Sequence, residues 1–570
     1  MRVLGAFVVA SLLASAAAAQ TYDPQKGASP LVLLQVPPDG LGYYRARQQA
    51  QDLYDRQKFA DALPLAEQVA KDYPRDPENW MLLGRIQRSL GKHLEAAASF
   101  EKAGPLIGWG LQFPNGYRMA IETLKAGDRK KALEILRWTI FEQHGFWRNE
   151  LYDWEDFATL KNDREFLDLI GHPDTTGWSR EKGWRFDLDY FREELARTNP
   201  DYRGRAFPAE FERRYQALYN AIGHSTDEQM FFALRQAVAE LHQGHMSFWP
   251  FPRTRYLPLR LYAFPEGIYV LDADAAHKDL VGARVTRIGS LAAEEAWRRE
   301  STANSADGDM EHIWDVFRLI EVASLVGMGA VASQDDVPLT VEMRDGRRRE
   351  VVVGSVATEP PNEQNARWDR LMAPPGVTAP LYLSDMKSVF WHKPLPEHHA
   401  LYVQVNNIDD MPNEKLADYG KRLWGVMGDS GARNLIVDLR HDNGGNTYLY
   451  TELLRSITAF SRIEGHKVYV LIGRRTYSAT ANFITDLERL ARPVFVGEAS
   501  GECCDLHGDP QELELPYTHI RIEATEVLWQ YSTPGDRRRE MSPQVPVQLH
   551  VADYFAGRDP ALEAAFKLMD

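Results

Sequence analysis

Four short apolar runs, each spaced from the next by a helical pattern, constrain this chain more than anything else in it. They are "HALYVQVN" (399–406), "NLIVDLR" (434–440), "KVYVLIG" (467–473) and "PVFVGE" (493–498). Runs of this length and apolarity suit strands buried on both faces, and the intervening helices supply the cover. That order predicts a layered α/β core over 380–570.

The other parts of the chain follow different periods. At 570 residues it exceeds what one hydrophobic core supports, so three or four domains are expected. "KFADALPLAEQVAKDYPRDP" begins at Lys58 and "KHLEAAASFEKAGPL" begins at Lys92, a step of 34 residues. "RKKALEILRWTI" then brings Ala132 to the place held by Ala62 and Ala96. Small residues at matching places let paired helices approach closely, and the period resembles that of tetratricopeptide repeats. Residues 43–142 are therefore expected to form three stacked helix pairs, a surface suited to a partner protein or peptide. A helical segment over 143–250 follows, with Ser225 or Thr226 as a helix cap in "HSTDEQ". From Pro258 the period becomes two. "LPLRLYAFPEGIYVLDA", "GARVTRIGS" and "VPLTVEMRDGRRREVVV" read as a small β module over 255–357, and "LVGARVTRIGS" looks PDZ-like. The Pro-rich stretch 359–380 reads as a linker.

The beginning of the chain reads as a leader. Arg2, then "VLGAFVVASLL", then "ASAAAAQ" make a charged start, a short apolar core and a small-residue cut site, so 1–19 is expected to be a signal peptide. The expected compartment is the periplasm or the exterior. The apolar run is too short to cross a bilayer, and no longer one follows. A net charge of −15 argues against nucleic acid as a partner. Cys503 and Cys504 are adjacent, a spacing at which cysteines rarely bridge, so buried packing is expected of them. They match no standard metal spacing, and no metal or cofactor is expected.

Three stretches carry candidate chemistry. Ser478 stands between the strand run "KVYVLIG" and the helix "SATANFITDLERL". A helix start offers free N–H groups that favour negative charge, as an oxyanion would need; serine is equally a common helix cap. "LIVDLRHDNGG" is a strand ending in a turn with Gly444 and Gly445, whose amides can point into a site with no Cβ in the way. In "LHQGHMSF", His245 ends a helical region. A lone histidine is usually structural, but a serine nucleophile needs a base and imidazole has the right basicity.

Together "GHMSF", "LIVDLRHDNGG", "TYSATANF", "PVFVGEASGE" and "YFAGRDPALEAAF", in that order, resemble the tail-specific, or C-terminal-processing, serine peptidases and their Tricorn-like relatives. The resemblance spans about 178–570. It implies a catalytic domain folded like the ClpP/crotonase group, with a PDZ-like module inserted. It makes Ser478 the nucleophile, and it makes the N–H of Ala479 with one from Gly444–Gly445 the oxyanion hole. One branch of the family takes a lysine 25 residues after the serine; here Cys503 stands there, and no lysine occurs between Ser478 and Lys567. The other branch takes a histidine from an early "GH" segment, which is His245 here. Its carboxylate would be Glu540, with Asp536 as the fallback. His507, His519 and His550 are the other candidate bases. The chain departs from the family pattern at Asp442-Asn443, at Ala481 and at Pro543-Gln544. The function implied is hydrolysis of a peptide or protein substrate. A noncatalytic binding module on the same fold, or an esterase, would use the same residues.

Overall fold

The computed structural model describes residues 40–107, 112–143, 145, 148–358, 371–374 and 376–569. The expected leader at 1–19 lies outside these residues, as does most of the expected linker. The chain divides into two units, one comprising residues up to 145 with 155–159, the other 146–154 with 160–570.

The first unit is helical throughout. Its helices are α1 (Gly40–Asp55), α2 (Phe59–Asp72), α3 (Pro77–Ser89), α4 (His93–Ala103), α5 (Gln112–Lys125) and α6 (Arg129–Phe141). Local chemistry sets the breaks. Asp76 caps α3 by accepting from Glu78 N–H ahead of Pro77, and Asp128 caps α6 by accepting from Lys131 N–H. Gly91 and Gly127 take positive φ between the helices of a pair. Ala62, Ala96 and Ala132, the three equivalent small positions, are all fully buried. Gly84 of α3 lies so close to α4 that an added Cβ would meet the Phe100 ring at 2.5 Å. Valine there gains little in helix propensity and overpacks the contact. Gly84→Val is therefore expected to destabilise this unit by roughly 2–3 kcal/mol in urea unfolding.

The second unit opens with α7 (Arg164–Ile170), α8 (Arg180–Thr198), α9 (Ala209–Ala221) and α10 (Asp227–Ala239). Of the two residues expected to cap α10, Thr226 does so, in a reciprocal box with Gln229. Trp184, Phe191, Phe211, Tyr215 and Phe231 from these helices share a core with Leu515, Ile520 and Ile522 near the far end of the chain.

Five strands follow α10: β1 (Ser247–Phe248), β2 (Leu259–Phe264), β3 (Gly267–Ala273), β4 (Arg284–Ile288) and β5 (Leu291–Ala292). Helices α11 (Ala293–Ser301), α12 (Asp309–Trp314) and α13 (Val322–Gly327) come next, then β6 (Asp336–Glu342) and β7 (Arg348–Gly354). Strands β2-β3-β4-β6-β7 form an antiparallel sheet in that order, with β5 folded back on β4. The period-two stretch thus folds as a sheet in its own right.

The remaining elements build the α/β core. They are β8 (Phe390–Leu395), β9 (Ala400–Val405), α14 (Leu416–Asp429), β10 (Asn434–Asp438), α15 (Thr451–Ser461), β11 (Lys467–Ile472), α16 (Ala479–Leu490) and β12 (Val494–Gly497). After them come β13 (Asp505–Gly508), β14 (Gln511–Glu514), β15 (Arg521–Ala524), β16 (Val527–Gln530), β17 (Val545–Pro546), α17 (Val551–Phe555) and α18 (Pro560–Lys567). One sheet runs β17-β12-β11-β10-β9-β8, parallel except for the antiparallel edge strand β8. Its two faces explain the four apolar runs. Leu401, Val403, Leu435, Val437, Val470 and Phe495 face α14–α16, while Tyr402, Ile436, Leu471 and Val496 face α18. Ligands of open parallel sheets sit beyond the carboxyl ends of the strands. Both Gly444 and Ser478 lie just past such ends, on β10 and β11.

Candidate active site

Ser478 connects Tyr477 to the first residue of α16 with φ 55° and ψ −126°. A non-glycine residue at positive φ costs on the order of 1–3 kcal/mol and persists only where its surroundings impose it. The hydroxyl caps nothing: no N–H of α16 donates to it. The helix-cap reading of the sequence therefore fails. The backbone around the serine is tied down instead. Thr476 Oγ1 donates to Leu439 C=O at 2.9 Å, and Ser478 N–H donates to Glu502 Oε2 at 2.9 Å.

The glycine turn presses against this corner. Gly444 and Gly445 have φ of 111° and 134°. A methyl group on Gly444 would meet Ser478 Cβ at 2.6 Å and the Ala479 nitrogen at 3.1 Å. The Gly444 N–H is spent on Asp442 Oδ1 at 3.0 Å, and its carbonyl accepts from Ile408 N–H at 2.7 Å. The Ala479 N–H, first of its helix, has no place in the helical ladder.

His245 arrives from the other end of the unit. Just after it, β1 pairs antiparallel with β15, Ser247 opposite Glu523 and Phe248 opposite Ile522. That pairing carries the "GHMSF" segment to the serine corner. The imidazole stacks on the Tyr477 ring at 4.6 Å between centroids, and its Nδ1 lies 3.1 Å from the Tyr477 hydroxyl and 3.3 Å from Glu502 Oε1. One carboxylate thus touches the serine's backbone and the imidazole together. Burial pushes His245 below the ordinary imidazole value, which keeps the ring neutral near pH 7.

The carboxylate beside His245 is Glu502, not the expected Glu540. Glu540 is half-buried and faces the Gly308–Asp309 turn, where burial first and Asp309 second raise its pKa. Asp536 is engaged by Arg538 and Ser532. The other candidate bases are committed elsewhere: His507 lies 2.9 Å from Asp201, His519 is 2.7 Å from Glu514, and His550 is 2.7 Å from Glu266.

Sequence reasoning missed an acidic nest behind the histidine. Asp307 Oδ2 accepts from Gly244 N–H at 3.0 Å, and Glu311 Oε1 accepts from Asp307 N–H at 2.7 Å. Burial, reinforced by their neighbouring carboxylates, lifts Asp307 and Glu311 well above the usual acid range, and burial raises Glu502 to about 7. His245, Asp307 and Glu502 form the one group among the described residues whose donor atoms could hold a metal, all within 4.8 Å of one another. "GEASGE" contains Glu502 and was already part of the resemblance, but nothing in it distinguishes Glu502 from Glu498.

Directly after Glu502, Cys503 and Cys504 are joined as a disulfide, contrary to expectation. Cys504 takes φ 80°, and this turn sets the two neighbouring side chains side by side. Both are buried in the core under α14–α16, as the packing reading had it.

Comparison with known proteins gives one sequence match and several structural ones. Residues 47–105 match the tetratricopeptide repeat family model. No curated protein matches the chain. Similar solved structures include mature CPAF complexed with lactacystin, at 13% identity and a TM-score of 0.48 over 68% of this chain and 98% of that one. A photosystem II D1 C-terminal processing protease is 13% identical over 67% of this chain and 99% of its own, with a TM-score of 0.31. A putative S41 protease from Bacteroides fragilis NCTC 9343 is 13% identical over 67% and 96%, with a TM-score of 0.30.

Proposed function

We propose that this chain is an exported serine peptidase of the tail-specific type. The observation that carries the reading is Glu502, whose two oxygens reach Ser478 N–H and His245 Nδ1 across a serine held at positive φ with its hydroxyl left over. In this reading His245 Nε2 takes the Ser478 proton as the hydroxyl oxygen attacks a peptide carbonyl carbon. Glu502 accepts from Nδ1–H, which fixes the tautomer and steadies the imidazolium that forms. The oxyanion is met by Ala479 N–H and by an amide of the glycine turn. Gly445 is the better donor of the two, because the Gly444 N–H is already taken. The imidazolium then returns its proton to the leaving amine, and water hydrolyses the acyl-enzyme by the same route.

The antiparallel sheet over 259–354 takes the part of the PDZ-like module, and the parallel sheet with its helices that of the ClpP/crotonase-like domain. The repeats would recruit a protein substrate or partner, and 1–19 would direct export. A fluorophosphonate probe is expected to attach to Ser478, with the adduct located by peptide mass spectrometry. Attachment at another residue, or none in folded protein, defeats the proposal. Gly444→Ala forces a Cβ against Ser478 at a positive φ. A misplacement of that size is expected to slow both labelling and turnover on the order of 100-fold, and unchanged rates would remove the glycine turn from the site.

A further inference from the structure

The nest behind His245 has a composition that the proposed hydrolysis does not need. A relay needs one carboxylate on Nδ1; here Asp307, Glu311 and Glu502 converge, Glu311 and Glu502 buried and Asp307 half-buried. The charges that act on Asp307 and Glu311 most strongly are other carboxylates: Glu502 on Asp307, then Asp307, Glu502 and Asp315 on Glu311. Several buried acids facing one another need protons or a cation to neutralise them.

Two details point to a cation. Glu502 is fully buried, its Oε2 is held by Ser478 N–H, and its Oε1 stands 3.3 Å from His245 Nδ1, with the Asp307 carboxyl within hydrogen-bond reach of the Glu502 carboxyl. Asp307 is anchored in the same way, by the Gly244 N–H on Oδ2. Backbone donors that fix one oxygen of a carboxylate aim the other, as the surroundings of metal ligands do. Zinc bonds to nitrogen and oxygen of about 2.0–2.2 Å place neighbouring tetrahedral ligands roughly 3.3–3.6 Å apart. His245 Nδ1 and Glu502 Oε1 already stand at 3.3 Å, and a bound ion would draw in the Asp307 oxygen, which lies within 4.8 Å of both. Calcium and magnesium prefer six or more oxygens, whereas one imidazole and two carboxylates suit zinc or a similar first-row ion.

We infer that His245 Nδ1, Asp307 and Glu502 form a site for a divalent transition-metal ion of the zinc type, and that the bound ion switches the hydrolase off. The switching half rests on the peptidase reading; the binding half does not. A neutral imidazole has one lone pair to give. With the metal on Nδ1, the proton sits on Nε2, and that nitrogen no longer accepts from Ser478. The ion also displaces Glu502 from its role as acceptor.

The test uses the full chain, stripped with EDTA, and zinc ion alone. Competition against a chromophoric chelator is expected to show one zinc per chain, with affinity weakened at least tenfold in both Asp307→Asn and His245→Ala. Glu540→Gln, whose carboxylate lies outside the triangle, should bind as the parent does. Circular dichroism and melting temperature establish that each variant is folded. Saturating zinc is expected to slow fluorophosphonate labelling of Ser478 more than tenfold in the parent, and EDTA should restore it; Asp307→Asn should be insensitive at the same zinc concentration. No stoichiometric zinc in the parent, or equal affinity in folded Asp307→Asn, overturns the site. Zinc bound with labelling unchanged or faster overturns the switch. If the metal-free parent does not label at all, the peptidase reading has failed, and the chelator competition still decides the site.

Discussion

Ser478→Ala is expected to lower kcat/KM for a cleaved peptide by roughly five to six orders of magnitude, the scale of losing a nucleophile that works as one unit with its base. Removing Oγ leaves the rest of the corner in place. The Glu502 contact to the backbone N–H at 478 does not involve the side chain, and the glycine turn gains room. Folding should therefore survive, and the residual rate should come from substrate binding and the amide donors alone. Alanine also fits the constrained backbone no better than serine does, because both carry a Cβ at φ 55°. An unchanged melting temperature with lost turnover is the expected pair of results. Turnover above about 1% of the parent's would mean that another group attacks the carbonyl.

The second large effect separates two carboxylates. Glu502→Gln is expected to cost about 10³–10⁴-fold in kcat, while Glu540→Gln should stay within about threefold. The amide at 502 faces two donors, Ser478 N–H and imidazole Nδ1–H, and can accept from only one. If its oxygen stays on the serine amide, its NH₂ faces Nδ1 and drives the ring to the tautomer that carries hydrogen on Nε2. If it flips, the NH₂ collides with the serine amide and disturbs the strained backbone. Both arrangements spoil the transfer of the hydroxyl proton. Glu540 faces the Gly308–Asp309 turn, and the charges that act on His245 come from Asp307, Glu523 and Asp509 rather than from it. A loss confined to Glu540→Gln would return the carboxylate role to the position that the family resemblance favours.

Much of the architecture could be read locally because burial repeats with the period of the element. Ala62, Ala96 and Ala132 mark helix contacts at a fixed step, and each is fully buried. The four apolar runs became adjacent strands because a strand covered on both faces has no polar side to show. The strand–serine–helix unit was legible for the same reason. Its conformation was not: nothing in "RRTYSATANF" gives the sign of φ at Ser478, and on that sign depends whether the hydroxyl caps the helix or stands free.

The sequence by itself determined the element types, the helical repeats and the residues from which a nucleophile and base could be drawn. Tertiary structure alone decided their company. The β1–β15 pairing brings His245 to Tyr477, a separation of 232 residues, and the turn after β12 delivers Glu502 where Glu540 was expected. It also drew Asp307 and Glu311 into the nest and joined Cys503 to Cys504. The physical reason is that periodicity records only which side of an element avoids water. A carboxylate's pKa and partners depend on which distant loops exclude water around it, and that depends on the closed fold.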